Sequence, residues 1–332
     1  MNAPHVTPDA QSTSARNVSV SAPTRLHFGL LAFGNQEGRN FGGVGLMLKK
    51  PRVKVKAKAS STFSTTGIYA ERLAEFAEMW RAYTKAEQLP NCTLKVTQAP
   101  PQHVGLGLGT QLGLSTAEAL QRFSSDSGFS AMERAIVVNR AARSAVGTYG
   151  FEFGGLIVER GRLPNERISP LECRMEFPKK WRIALVRPEG ASGLSGESES
   201  KAFTDIPPVS QRTTDNLLDI IQSQLLPGLT AHDFNQTTEA IESYGRLAGS
   251  CFEAVQGGPY NGRVLNNRVA WLKDLGARGV GQSSWGPTLF CFFDSKEAAK
   301  QFRRNVPNDE SGQKLIIDIV KPDNRGAVIG YS

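Results

Sequence analysis

Alternating hydrophobic and polar residues predict several strands in the first half of the chain. Residues 17–22, 52–59 and 92–97 have the two-residue alternation of a half-buried strand. Residues 154–159 form a short apolar run that is typical of a buried strand.

Helical spacing of apolar residues appears between these strands. A helix over about residues 68–86 is predicted from four of them: Leu73, Phe76, Ala77 and Trp80. A second helix is expected to begin at Thr110 or Gln111. A capping box from Ser130 to Glu133 predicts the start of a third, because it satisfies the first free N–H groups of a helix.

The second half of the chain mixes the same two patterns. It predicts strand, helix, helix, strand, helix and strand at about residues 181–186, 213–225, 231–252, 288–293, 294–303 and 314–320. This order is typical of an α+β sandwich, and the chain contains no internal repeat.

Proline and glycine divide the chain into a tail and two lobes. Residues 1–15 are rich in Pro, Ser, Thr and Gln, and are expected to be a disordered tail. The polar, proline-containing stretch at residues 164–170 predicts a boundary between a first lobe over 16–165 and a second over 166–332.

Composition is that of an ordinary globular protein. The chain has 332 residues, 39% of them hydrophobic, so it can bury a sizeable core. It has no run of eighteen apolar residues and no signal-peptide core, so a cytoplasmic protein without a membrane partner is expected. The four cysteines are widely spaced and predict neither a zinc site nor a disulfide framework.

The net charge of +8 raises the question of nucleic acid. The densest basic cluster spans residues 49–58, but small apolar residues alternate with its lysines, as on a strand with one solvated face. It also lacks the interleaved aromatic residues that stack on bases. We therefore expect small-molecule substrates and no nucleic-acid partner. The sequence leaves a homodimer open.

Three glycines at alternate positions, Gly105, Gly107 and Gly109, precede the predicted second helix. Glycine allows a close backbone approach to a ligand, and a helix N-terminus presents free N–H donors and the positive end of its dipole. This combination predicts an anion-binding loop, although glycine-rich turns also occur for backbone reasons alone.

Three other glycine clusters lie at the edges of predicted elements, where ligand-binding loops are common. They cover residues 22–29, 143–155 and 279–287. Taken singly, each can be an ordinary turn.

Taken in order, these segments resemble the signature motifs of the GHMP kinase superfamily. In detail they resemble one branch, the β-ribofuranosylaminobenzene 5′-phosphate synthases of methanopterin biosynthesis. The resemblance is carried by five strings: residues 24–30, 105–111, 144–151, 193–197 and 281–287. It implies a two-lobed α+β fold with a βαβ-containing N-terminal lobe and a ferredoxin-like C-terminal sandwich.

Two departures from the kinase pattern have chemical meaning. Leu108 and Gly109 stand where such kinases typically have small hydroxyl residues that help to hold nucleotide phosphates and Mg²⁺. Residues 149–152 end in Glu152 where many of these kinases have an aspartate that faces the acceptor alcohol. Both departures argue against phosphoryl transfer from ATP.

The resemblance implies the joining of phosphoribosyl pyrophosphate to 4-aminobenzoate or 4-hydroxybenzoate, with release of pyrophosphate and CO₂. Mg²⁺ is implied, with unknown ligands, and no organic cofactor. Arg25, His27 and Glu152 are the candidate catalytic residues. The candidates for substrate and phosphate binding are Gly105, Gly107, Gly109, Thr110, Gln111, Arg143, Ser144, Thr148, Ser195, Glu197, Ser283, Ser284, Trp285 and Gly286.

Several of these residues also have a purely structural interpretation. His27 lies between apolar neighbours, as a core histidine does, and Glu152 can pair with an arginine. Trp285 can stack on an aromatic substrate or pack between the lobes. Two other functions stay open: an ATP-dependent kinase of the same superfamily, and a binding protein for sugar phosphates without turnover.

Overall fold

Two β-sheets, each packed against helices, organise the chain in this computed structural model, which describes residues 17–191, 193, 203, 206–306 and 313–332. The candidate site residues Ser195 and Glu197, like the predicted tail at 1–15, lie outside the described residues. Within them, no helix is long and apolar enough to cross a lipid bilayer.

The first sheet has seven strands among the described residues. They are β1 (Val18–Gly29), β2 (Gly43–Ala59), β3 (Ser64–Gly67), β4 (Cys92–Gln98), β5 (Leu156–Glu159), β6 (Leu171–Met175) and β11 (Val328–Tyr331). Their order is β11-β1-β2-β4-β3, and β5 joins the long strand β2 to β6. The predicted solvated face is confirmed, because lysines 54, 56 and 58 are exposed while residues 53, 55 and 57 between them are buried.

The second sheet is antiparallel throughout. Its strands are β7 (Arg182–Pro188), β8 (Arg278–Gln282), β9 (Leu289–Phe293) and β10 (Leu315–Val320), in the order β10-β7-β9-β8.

The helices of the first lobe are α1 (Ala70–Thr84), α2 (Leu108–Ser124), α3 (Ala131–Val137) and α4 (Val146–Phe153). Those of the second are α5 (Gln211–Asp219), α6 (Leu226–Thr230), α7 (Phe234–Ser250), α8 (Glu253–Gln256), α9 (Gly262–Asp274) and α10 (Lys296–Asn305). A π-helical turn at Ile220–Leu225 joins α5 to α6, where the sequence predicts regular helix. The Ser130–Glu133 capping box is confirmed at the start of α3.

The predicted α+β class is confirmed, whereas two boundaries differ from the prediction. Strand β6 pairs with β5, so the first lobe extends beyond residue 165, and strand β11 returns from the C-terminus to pair with β1. Both strands add apolar side chains to a sheet that is built from segments distant in sequence. The local pattern of a strand does not show which other strand it will pair with.

One hydrophobic core joins the two lobes. Phe28 of β1 packs against Phe290 of β9, with 5.2 Å between the ring centroids. Leu26 and Leu46 of the first sheet belong to the same buried cluster as Phe292 of the second. Burial of this shared apolar surface stabilises the arrangement of the lobes, so the loops at their junction have defined positions.

Candidate active site

Two adjoining cavities lie at the junction of the lobes. The larger has a volume of about 870 Å³ and the smaller about 420 Å³. Five residues line both cavities: Arg25, Thr110, Arg140, Ser284 and Trp285. A ligand that extends from one cavity into the other would therefore pass these side chains.

The smaller cavity contains the glycine-rich loop. Gly107 caps α2 with a φ of 73°, in the left-handed region that favours glycine. The first helical hydrogen bond runs from the N–H of Gln111 to the carbonyl of Gly107. The N–H groups of residues 108–110 thus have no partner within the helix, as at any helix N-terminus. The helix begins two residues earlier than the pattern predicts, so Leu108 and Gly109 belong to it.

Three arginines surround the start of this helix. Arg25 of β1, Arg72 of α1 and Arg140 all line the smaller cavity. A Cβ atom at Gly109 would lie 3.4 Å from Nη2 of Arg72 and 3.8 Å from Nη2 of Arg140. The missing side chain at Gly109 therefore leaves room for two guanidinium groups. Their charge adds to the helix dipole and favours an anion.

The late glycine turn packs directly on the loop. A Cβ at Gly286 would overlap the backbone of Gly105, and a Cβ at Gly105 would overlap the carbonyl oxygen of Ser283. The Ser283 hydroxyl donates to the Gly105 carbonyl at 2.8 Å and accepts from the backbone N–H of His27 at 3.1 Å. These contacts tie the second lobe to the loop of the first.

A chain of hydrogen bonds lies in the wall of the larger cavity. Nε2 of His27 is 3.0 Å from Oγ of Ser144, which donates to Oε1 of Glu159 at 2.6 Å. Oε2 of Glu159 accepts the backbone N–H of Ala145 at 2.7 Å, beside the N-terminus of α4. Glu159 is fully buried at the end of β5.

Burial shifts both ionisable members of this chain towards their neutral forms. Burial, together with the nearby Arg25 charge, lowers the pKa of His27 to about 3. Burial raises the pKa of Glu159 to about 7, although hydrogen bonds from Ser144 and the Ala145 N–H act in the opposite direction. At neutral pH the imidazole is uncharged.

Aromatic side chains form the opposite part of the larger cavity. Phe252 and Trp285 are in edge-on contact, with 4.9 Å between the ring centroids, and Phe203 lies beside both. The guanidinium of Arg143 lies 4.5 Å from the centroid of the Phe203 ring. Such a surface suits an aromatic ligand that carries a negative charge.

The structure brings most of the predicted site residues to these cavities. The following line at least one of them: Arg25, His27, Gly105, Gly107, Gly109, Thr110, Arg143, Ser144, Ser284, Trp285 and Gly286.

Four predicted residues lie outside both cavities. Buried Gln111 donates to the carbonyl of Gly147 at 2.8 Å, Thr148 is buried in α4, and Ser283 makes the bonds described above. Oε2 of Glu152 lies 3.6 Å from Nη1 of Arg134, which is the pairing with an arginine that a structural role of Glu152 predicts. Of these four side chains, Gln111 and Ser283 make hydrogen bonds that hold neighbouring backbone segments in place.

Sequence reasoning missed Glu159, Arg72 and Arg140. Glu159 ends an otherwise apolar strand, and a carboxylate in a buried strand needs partners, so this position carried a usable signal. Arg72 lies on an amphipathic helix among other charged residues, and nothing local distinguishes it from a solvated arginine.

The described residues do not fit a metal ion held by the protein alone. Among them, no three His, Cys, Asp or Glu side chains are grouped closely enough to hold one. The side chains around the loop are mainly arginines, so no step below is assigned to Mg²⁺.

Comparisons with known proteins agree with this architecture. The family model described as GHMP kinases C terminal matches residues 225–311. A homoserine kinase from Cytophaga hutchinsonii superposes with a TM-score of 0.68 at 14% identity, covering 96% of this chain and 98% of that one. The mevalonate diphosphate decarboxylase of Enterococcus faecalis gives 0.60 at 15%, covering 96% and 100%. The chain therefore has the fold of these two proteins, and residues 225–311 match the C-terminal part of the GHMP kinase family.

Sequence relatives carry the name of the branch that the five motifs resemble. Two proteins named beta-ribofuranosylphenol 5′-phosphate synthase are each 28% identical to this chain. The one from Methanothermobacter thermautotrophicus aligns over 83% of this chain and 89% of its own length, and the one from Archaeoglobus fulgidus over 92% and 97%. The solved structures, at 14–15% identity, support the fold alone.

Proposed function

We propose that this protein transfers the phosphoribosyl group of phosphoribosyl pyrophosphate to a 4-substituted benzoate, releasing pyrophosphate and CO₂. It is then a pentosyl-transferring enzyme of tetrahydromethanopterin biosynthesis, in line with the names of its sequence relatives. The observation that carries the proposal is the group of three arginines around the start of α2, beside an aromatic cavity.

The arginine-lined cavity fits the pyrophosphate end of the donor. Pyrophosphate leaves with several negative charges, and the free N–H groups of residues 108–110 together with Arg25, Arg72 and Arg140 can stabilise them. A cavity of about 420 Å³ accommodates a diphosphate. The shared residues of the two cavities then place the sugar between them.

The aromatic cavity fits the acceptor. Phe252 and Trp285 offer ring edges and faces to an aryl group, and Arg143 lies in the same wall for its carboxylate. Its volume of about 870 Å³ also leaves room for part of the sugar phosphate. Holding both substrates at the junction favours reaction mainly through position and orientation.

The bonds of the proposed reaction balance without a redox cofactor. The bond from the anomeric carbon to the pyrophosphate oxygen breaks, and pyrophosphate takes the electron pair. The ring carbon that carries the carboxylate then attacks the cationic anomeric carbon. Loss of CO₂ returns an electron pair to the ring and restores its aromaticity. A para hydroxyl or amino group assists because it donates electron density to the attacking carbon.

The name of the sequence relatives indicates the para substituent of the acceptor. That name specifies a phenol, so 4-hydroxybenzoate is the acceptor that the relatives favour, while the sequence itself left the amino and hydroxy compounds open. Both belong in the assay. Mg²⁺ is also included, because it binds to proteins mainly through substrate phosphates and a carboxylate or two.

The deciding experiment supplies phosphoribosyl pyrophosphate, Mg²⁺ and carboxyl-labelled 4-hydroxybenzoate or 4-aminobenzoate, with and without ATP. We expect labelled CO₂ and pyrophosphate in equal amounts, without ATP. ADP and a phosphorylated alcohol, formed only with ATP, would instead establish the kinase. Tight donor binding without either product would establish a sugar-phosphate-binding protein.

A further inference from the structure

A fully buried carboxylate is the most unusual group near the larger cavity. Glu159 has no solvent exposure and no ion pair with an arginine or lysine among the described residues. Its Oε1 accepts from Ser144 and its Oε2 from the Ala145 N–H, and the Ser169 hydroxyl and the Val146 N–H also stabilise its charged form. Burying a carboxylate without an opposite charge costs stability, so a glutamate at such a position is a candidate for a specific role. Its side chain reaches the cavity only through Ser144 and His27.

Proton counting fixes the direction of this chain of hydrogen bonds. The Ser144 oxygen accepts the backbone N–H of Val146 at 3.3 Å, and its single proton goes to Glu159. Its remaining lone pair must therefore accept a hydrogen bond from Nε2–H of His27. An ionised Glu159 thus selects the neutral imidazole that carries its proton on Nε2.

The other ring nitrogen of His27 is then a hydrogen-bond acceptor. Within the described residues Nδ1 makes no hydrogen bond, and the imidazole lines the larger cavity. A neutral, lone-pair-bearing nitrogen in that wall can accept a hydrogen bond from a bound ligand.

We propose that Glu159 is a positioning residue that acts through Ser144 to hold His27 as the Nε2–H tautomer, so that Nδ1 accepts a hydrogen bond from the para O–H or N–H of the acceptor. Only the identity of that substrate group rests on the proposed function. The tautomer follows from the geometry of the three side chains alone.

Protonation of Glu159 reverses the direction of the hydrogen bonds from Glu159 through Ser144 to His27. A carboxylic acid donates to Ser144, Ser144 then donates to Nε2, and the imidazole proton moves to Nδ1, which can no longer accept. The raised pKa of Glu159 places this change near neutral pH. Charged and titratable groups that act on the two residues are Arg25 of β1 on His27, and Tyr149 of α4 and Tyr244 of α7 on Glu159.

Replacement of Glu159 by glutamine tests the proposal without a change of shape. The Ala145 N–H requires an acceptor, so the amide oxygen of Glu159→Gln faces it and the NH₂ group faces Ser144. The amide must then donate to Ser144, as the protonated acid does. We expect the His27 proton on Nε2 in the wild-type protein at pH 8 and on Nδ1 in the variant.

Nitrogen NMR of the histidine-labelled protein distinguishes the two tautomers without substrate. The chain contains four histidines, and a His27→Asn variant identifies the signals of His27. A wild-type imidazole with its proton on Nδ1 at pH 8 overturns the proposal, whether or not any variant folds. So does a folded Glu159→Gln variant with the proton still on Nε2.

Kinetics supply the second readout. We expect Glu159→Gln to lower kcat by roughly 100-fold, the scale of one lost hydrogen bond that stabilises a transition state, with an unchanged KM for phosphoribosyl pyrophosphate. Glu159→Asp, which keeps the charge, should regain part of kcat. Equal losses in both variants would indicate a purely structural role. If the wild-type protein lacks the transferase activity but shows the tautomer change, the proposed function fails and the tautomer mechanism stands.

Discussion

Arg25 donates from Nη1 to the carbonyl oxygen of Gly105 at 2.8 Å, and the backbone N–H of Arg25 donates to Leu106 at 3.2 Å. The side chain therefore carries charge into the smaller cavity and at the same time holds the glycine-rich loop against β1. Gly105 is in turn packed against Gly286 of the second lobe, so this contact connects loop position to lobe position.

The double role of Arg25 makes lysine a poor substitute. We expect Arg25→Ala to weaken phosphoribosyl pyrophosphate binding by roughly 100-fold, because a charge-assisted hydrogen bond to phosphate is lost. Arg25→Lys should restore only part, since an ammonium cannot reach the Gly105 carbonyl and a phosphate with one planar fork. Calorimetric titration measures the donor affinity of both variants. Arg39→Ala is the control, because Arg39 lies outside both cavities. Unchanged affinity in Arg25→Ala would make its role structural.

Gly107 can be compared with a glycine of the same conformation. Gly107 and Gly257 have φ values of 73° and 72°, but a Cβ at Gly107 would lie 3.0 Å from Cγ of Arg25, whereas Gly257 faces open space. Alanine at either position should cost about 1 kcal/mol of stability from backbone strain. We expect only Gly107→Ala to lose most of its turnover. Equal activities at matched stability would remove the loop from the site.

Two arginines of α1 provide a matched pair. Arg72 lines the smaller cavity, whereas Arg81 on the same helix has a side chain that is 40% exposed and pairs with Glu78. We expect Arg72→Gln to raise the KM for phosphoribosyl pyrophosphate by roughly tenfold, and Arg81→Gln to leave it unchanged. Steady-state kinetics at several salt concentrations measure the effect. A similar rise in both variants would point to general electrostatics instead of a defined phosphate contact.

Phe252 and Phe302 allow a similar comparison for the aromatic cavity. Each is nearly buried and has an aromatic neighbour at 4.9 Å, but only Phe252 lines the cavity. We expect Phe252→Leu to raise the KM for the arylcarboxylate several-fold while the KM for the donor stays constant. Phe302→Leu should lower thermal stability alone. A donor KM that rises with the aryl KM would contradict the proposed division of the cavities.

The pKa shifts of His27 and Glu159 affect stability in opposite directions. The lowered pKa of His27, about 3, reduces the stability of the folded protein as the pH falls below 6.5, the ordinary pKa of a histidine. The raised pKa of Glu159, about 7, stabilises the folded protein at pH values below 4.5, the ordinary pKa of a glutamate. This stabilisation is lost as the pH rises through 7. We therefore expect the free energy of unfolding of Glu159→Gln, relative to wild type, to increase between pH 4.5 and 7. Urea unfolding across this range measures it, and a flat difference would contradict the shift.

Local patterns in the sequence determined most of the elements and the glycine-rich loop. The spacing of Leu73, Phe76, Ala77 and Trp80 placed α1 within two residues, because one face of a helix must be apolar when it packs on a sheet. The glycines at 105 and 107 predicted a loop before a helix N-terminus, since only glycine readily adopts the backbone conformation found there.

Tertiary structure alone decided which side chains meet. Arg72, Arg140 and Arg25 come from separate elements and converge on Gly109 and its helix only after the sheet and helices pack. Glu159 acquires its role because β5 pairs with β2 and brings its carboxylate to Ser144 and Ala145. Glu152 is also a glutamate and lies near Glu159 in the sequence, but its position on α4 directs its carboxylate to Arg134. Hydrophobic periodicity reports which face of an element is buried, whereas the convergence of polar groups depends on contacts between residues distant in the chain.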